Sequence, residues 1–140
     1  MLRNVLVLVV ATIGATGVLL VGCREQTPEE KRERAVRKMV EQVLKNVEFP
    51  KGSRISFCTT LFEPGTKIQF RRNESIVLEA SGYLIFVDEV PENDWDHAAQ
   101  MVFFEPIRIN IPRVLFRDTG PDKIVDKNGK EIFQQKWTDW

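Results

Sequence analysis

The sequence predicts a mainly β chain with one N-terminal α-helix, folded as a small β-sandwich or open barrel. Three observations carry that expectation. One helical stripe of valines and leucines lies ahead of residue 50, short runs beyond it alternate apolar with polar residues, and turn signals separate those runs at close intervals. A length of 140 residues fits one globular domain. At 43% apolar and 29% charged, the composition is neither collagen-like nor disordered. With 20 basic and 20 acidic side chains, the chain lacks the basic surplus of a nucleic-acid binder. Two cysteines are too few for a disulfide-built scaffold.

Residues 1–22 have the pattern of an export leader. Arg3 supplies a positive start, Val5 to Val21 carry no charge, and Arg24-Glu25 end the apolar run. The four residues Leu20-Val21-Gly22-Cys23 resemble the lipobox of bacterial lipoproteins. That resemblance implies cleavage before Cys23 and a diacylglycerol on its sulfur. Fatty acyl chains such as palmitate each contribute about 0.8 kcal/mol per buried methylene, and several on one residue anchor stably. It implies a bacterial envelope protein held by lipid, facing the periplasm or the cell surface. Arg24 stands where an aspartate is associated with inner-membrane retention, which favours the outer membrane. The competing expectation is an uncleaved span, since the 17 residues Val5–Val21 reach the lower limit for crossing a bilayer. Six basic residues between Arg24 and Lys38 would then hold the carboxyl side in the cytoplasm. If Cys23 carries lipid, Cys58 is the free thiol; if not, a Cys23–Cys58 disulfide is open to the chain outside the cytoplasm.

Residues 23–27 form a short stalk, and 28–47 an amphipathic helix. Thr27 suits the N-cap, Pro28 the first turn and Glu30 the capping-box position. Val36, Val40, Val43, Leu44 and Val47 repeat with a helical period. Glu30–Arg34, Glu33–Arg37 and Glu41–Lys45 stand in the favourable i,i+4 order. Phe49-Pro50 disfavours continuation, so the helix is expected to end near Asn46. Its stripe is expected to pack on the domain that follows, with partner pairing and lipid-headgroup contact as the sharper uses of the same surface.

Residues 48–140 form the β-rich domain. Strands are expected at Ile55–Leu61, Lys67–Arg71, Ser75–Ala80, Tyr83–Val87, Met101–Phe104, Ile107–Phe116, Lys123–Val125 and Glu131–Gln134. Pro112 marks an edge or break, and Asn128-Gly129 a hairpin. Leu61–Phe70 with Gly82-Tyr83-Leu84 is also similar to an opening coil of right-handed parallel β-helix proteins, but no periodic repeat follows.

For chemistry, the acidic stretch is the largest anomaly: Asn73 to Ile107 holds eight acids and no lysine or arginine. Asp88, Glu89, Glu92, Asp94 and Asp96 could offer oxygen ligands to calcium, although the spacing is not that of an EF-hand; a solvated acidic loop is the simpler expectation. Trp95 in that loop, with Trp137 and Trp140 near the other end, supplies candidate contact residues; docking on the body is the competing use of all three. His97 alone cannot build a zinc site, and a Cys58–His97 nucleophilic pair has no supporting local motif. Arg71-Arg72 and Arg108, Arg113 and Arg117 are expected at outward strand positions. No phosphate loop, dinucleotide fingerprint or nucleophile elbow is present. The expected function is non-enzymatic and needs no cofactor: an envelope-anchored structural or protein-interaction module with an envelope protein partner. A small ligand- or calcium-binding β-domain is the first alternative, and an enzyme using Cys58 and His97 the second.

Overall fold

The computed structural model describes residues 24–70, 74–92, 98–116, 123–132 and 137–140. The chain divides between Lys31 and Arg32, and Arg32–Trp140 makes one compact body. Within the described residues, one helix, α1 (Pro28–Leu44), precedes eight strands: β1 (Arg54–Cys58), β2 (Lys67–Gln69), β3 (Ser75–Val77), β4 (Tyr83–Asp88), β5 (Ala99–Phe104), β6 (Arg113–Phe116), β7 (Lys123–Val125) and β8 (Trp137–Asp139).

α1 begins with a reciprocal capping box. The Glu30 amide donates to Thr27 Oγ1 at 3.2 Å, and the Thr27 amide donates to Glu30 Oε2 at 2.9 Å. Glu30 also pairs with Arg24 at 2.9 Å, and Glu33 with Arg37 at 3.0 Å. Helical hydrogen bonding gives way to a tighter turn after Leu44, where the Asn46 amide reaches the Val43 carbonyl. Val36, Val40 and Val43 are buried as a stripe, with Leu44 and Val47 at its rim.

The strands form two antiparallel sheets that do not close into a barrel, which gives the small β-sandwich. One has the order β6-β5-β4-β1-β8, the other β3-β2-β7. Strand alternation sorts the larger sheet's side chains onto two faces. Ile55, Phe57, Ile85, Val87, Val102 and Phe104 share one core with the α1 valines. Cys58, Leu84, Met101 and Phe103 share the second core with Ile68 of β2 and Ile124 of β7. The layers are therefore helix, five-stranded sheet and three-stranded sheet. Covered on both faces, β5 is buried at every position, which explains the unbroken apolar run Met101–Phe104.

Antiparallel pairing throughout both sheets excludes a β-helix coil at Leu61–Leu84. Phe62 and Gly82 form a mutual bridge there, and a Cβ at Gly82 would strike the Phe103 ring and the Phe104 carbonyl oxygen. The expected strand Ile107–Phe116 begins only at Arg113, after two turns. The expected strand at Glu131–Gln134 shortens to one bridge between Glu131 and Val125, with Phe133 and Gln134 outside the described residues. The Asn-Gly hairpin uses a three-residue loop. Gly129 takes a φ of 83°, the Gly129 amide donates to the Asp126 carbonyl, and Asp126 Oδ1 accepts from the Asn128 and Lys130 amides at 2.9 Å each. β8 is the strand that periodicity does not reveal.

Candidate functional site

β8 pairs along the free side of β1, with Trp137 opposite Cys58, Thr138 opposite Phe57 and Asp139 opposite Ser56. Alternation then splits the two tryptophans. Trp137 faces the second core, half-buried, with its ring 6.1 Å from that of Phe86. Trp140 lies beyond the strand, its amide donating to the Ile55 carbonyl at 3.0 Å, and its side is 44% exposed. Its ring meets Phe57 edge-on at 6.3 Å.

Arg37 of α1 completes this surface. Its guanidinium carbon lies 5.1 Å from the Phe57 ring centre and 5.7 Å from that of Trp140. Nη2 donates to the Asp139 carbonyl at 3.0 Å and to Glu33 Oε1 at 3.0 Å. A planar, permanently charged group beside two rings that touch one another attracts both quadrupoles and holds the tryptophan in place. The result is a rigid aromatic anchor with one face in water, the kind of residue that carries binding energy at protein interfaces. Sequence reasoning reached Trp140 but not Arg37. The residues it joins are 102 positions apart, and the Glu33–Arg37 pairing marks it only as one more surface arginine.

In the described part of the acidic stretch, Asp88 and Glu89 have partners within the fold. Asp88, at the end of β4, is 4% exposed; it pairs with Arg54 at 3.3 Å and accepts the Val90 amide at 3.1 Å. Glu89 Oε1 accepts from Gln100 Nε2 at 2.7 Å, and that amide also donates to the Glu48 carbonyl at 3.0 Å. Glu92 is exposed. Asp94, Trp95, Asp96 and His97 lie outside the described residues, as does Cys23. Among the described residues no group of three or more histidine, cysteine or acidic side chains could hold a metal. Likewise, no helix among them is long and apolar enough to cross a membrane.

No protein family, curated protein or solved structure matches the chain.

Two further features bear on small-molecule chemistry. Cys58 is 1% exposed, and burial pushes its thiol up from 9.0 to about 12. At neutral pH it holds almost no thiolate in these buried surroundings. A cavity of about 180 Å³ lies between Leu61, Phe62, Glu63, Asp126, Lys127 and Ile132. It is smaller than the roughly 300–1,000 Å³ of drug-sized ligand sites. Its rim is already paired: Lys127 reaches Glu63 at 3.5 Å, and Thr66 Oγ1 donates to the Glu63 carbonyl at 2.7 Å.

Proposed function

We propose that the chain is a membrane-anchored envelope lipoprotein whose β-sandwich serves as a protein-interaction module, with Trp140 and Arg37 at the contact surface. The carrying observation is the uncharged run Val5–Val21, whose end overlaps Leu20-Val21-Gly22-Cys23, the pattern of a leader that ends in a lipid-accepting cysteine. The half-exposed Trp140, held against Phe57 by Arg37, supports the interaction role. The anchor is tested by intact mass of the chain recovered from bacterial membranes. The expected species begins at Cys23 and carries acyl mass; a species that retains Met1, or has an unmodified Cys23 thiol, overturns it. The contact role is tested with Trp140→Ala, which is expected to lose co-purification with the envelope partner while keeping the far-ultraviolet spectrum of the native domain.

A further inference from the structure

The connection from β5 to β6 is the most exposed apolar feature among the described residues. Ile107 is 86% exposed and Ile111 is 70% exposed, whereas Ile109 between them packs against the helix-side core. The loop is not loose chain. The Arg108 amide donates to the Glu105 carbonyl at 2.9 Å, and the Ile111 amide donates to the Arg108 carbonyl at 3.0 Å. Pro106 sits inside the first turn and Pro112 directly follows the second, and fixed φ angles stiffen both ends. Two consecutive turns docked through Ile109 thus present two branched aliphatic side chains to solvent, where their apolar surface gains nothing from burial.

The charges beside them are mostly basic, with Glu105 the one acid in the loop. From Pro106 to Arg117 the sequence holds three arginines and no acid, in a chain whose net charge is zero. Arg108 and Arg113 flank the isoleucines and are exposed. Aliphatic tips that can enter the acyl boundary, flanked by two exposed arginines whose guanidinium groups pair with phosphate, are complementary to an anionic bilayer surface.

We infer that the Glu105–Pro112 loop is a second membrane contact, inserting Ile107 and Ile111 into an anionic phospholipid surface while Arg108 and Arg113 bind the headgroup phosphates. It deepens the membrane-anchored reading and rests on it, because a tethered body meets the bilayer at high local concentration.

The test uses the full chain with a photoreactive diazirine residue in place of Ile107, bound to vesicles of phosphatidylglycerol mixed with phosphatidylcholine. Illumination is expected to give a single-phospholipid adduct by mass. Arg108→Gln is expected to cut its yield about fivefold, the factor that roughly 1 kcal/mol per basic residue near such a surface converts to. The same diazirine residue at Asn128, in the hairpin loop after β7, is expected to give none. An adduct to a second copy or to another protein overturns the contact, as does equal yield on phosphatidylcholine alone. The anchor is read separately from the mass at Cys23. A lipidated chain that floats with vesicles yet gives no lipid adduct at position 107 overturns the loop contact and leaves the anchor standing. An unlipidated chain that still gives the adduct overturns the anchor and leaves the loop contact standing, and an unlipidated chain without it overturns both.

Discussion

Arg37 holds the Trp140 surface together, and removing it has a calculable cost. Arg37→Ala loses a charge-assisted hydrogen bond to the Asp139 carbonyl at 3.0 Å and guanidinium contacts with two rings at 5.1 and 5.7 Å. The Arg37 side chain is 38% exposed, so solvent screening takes the hydrogen bond below the usual charged range, to about 1 kcal/mol. Each ring contact adds about 0.5 kcal/mol at such exposure. The Glu33 pair, exposed on both sides, adds a few tenths at most. The expected loss is therefore about 2 kcal/mol, or roughly 9 °C in melting temperature for the body Arg32–Trp140. Arg37→Lys keeps the charge but not the plane and is expected to recover less than half. The decisive measurement is a double-mutant cycle in urea with Arg37→Ala, Trp140→Ala and the pair, followed by circular dichroism. Direct stacking requires a coupling energy of about 0.5–1 kcal/mol. Additivity within about 0.3 kcal/mol would show that the two residues do not support one another, and the rigid-anchor reasoning would be wrong.

Two further outcomes follow from the cores. Gly82→Ala places a methyl group against the Phe104 carbonyl oxygen, which cannot rotate away, and against the Phe103 ring. It is expected to cost about 1–3 kcal/mol in urea unfolding, and a neutral result would mean that the bridge to Phe62 is not held as described. Cys58 sets a pH dependence of defined sign. With its pKa pushed up from 9.0 to about 12 in the folded chain, the unfolded chain releases this proton first. Stability should accordingly fall by about 1.4 kcal/mol per pH unit between those values. That slope is expected to be shallower in Cys58→Ala, whereas matching slopes in the two proteins would refute the shift. Below pH 9 the group contributes no pH dependence, and the folded thiol should resist alkylation.

The pattern of one helix followed by a β-body was legible because its signals are local. A capping box, a valine stripe and strict alternation in Lys67–Arg71 each report on a few neighbouring residues; the box and the stripe reappear, and β2 takes up Lys67–Gln69, with Arg71 outside the described residues. The site was legible only in part. Trp140 drew notice as a large aromatic residue, but the strand that carries it has no periodic signature. Three residues are too few to show one, and their placement depends on pairing with β1, about 80 positions earlier. The partners of Asp88 and Glu89, Arg54 and Gln100, come from other strands, so spacing along the sequence does not show them.

The Ile107–Ile111 segment shows how a period can mislead, and why the misreading is informative. Ile107, Ile109 and Ile111 alternate with polar residues as a half-buried strand would, yet only Ile109 turns inward. Prolines on both sides withhold amides from any ladder, and two turns consume the donors of Arg108 and Ile111. In a strand, all three isoleucines would share one buried face. In these turns two of them stand in solvent, with arginines beside them. Folding gives no return on that exposure: aspartate or serine at 107 and 111 would keep the turns and raise solubility. A pair of aliphatic side chains that the fold does not use, and that a rigid pair of turns holds outward, is accounted for by a surface outside the chain. The exposed Arg108 and Arg113 beside it select an anionic one.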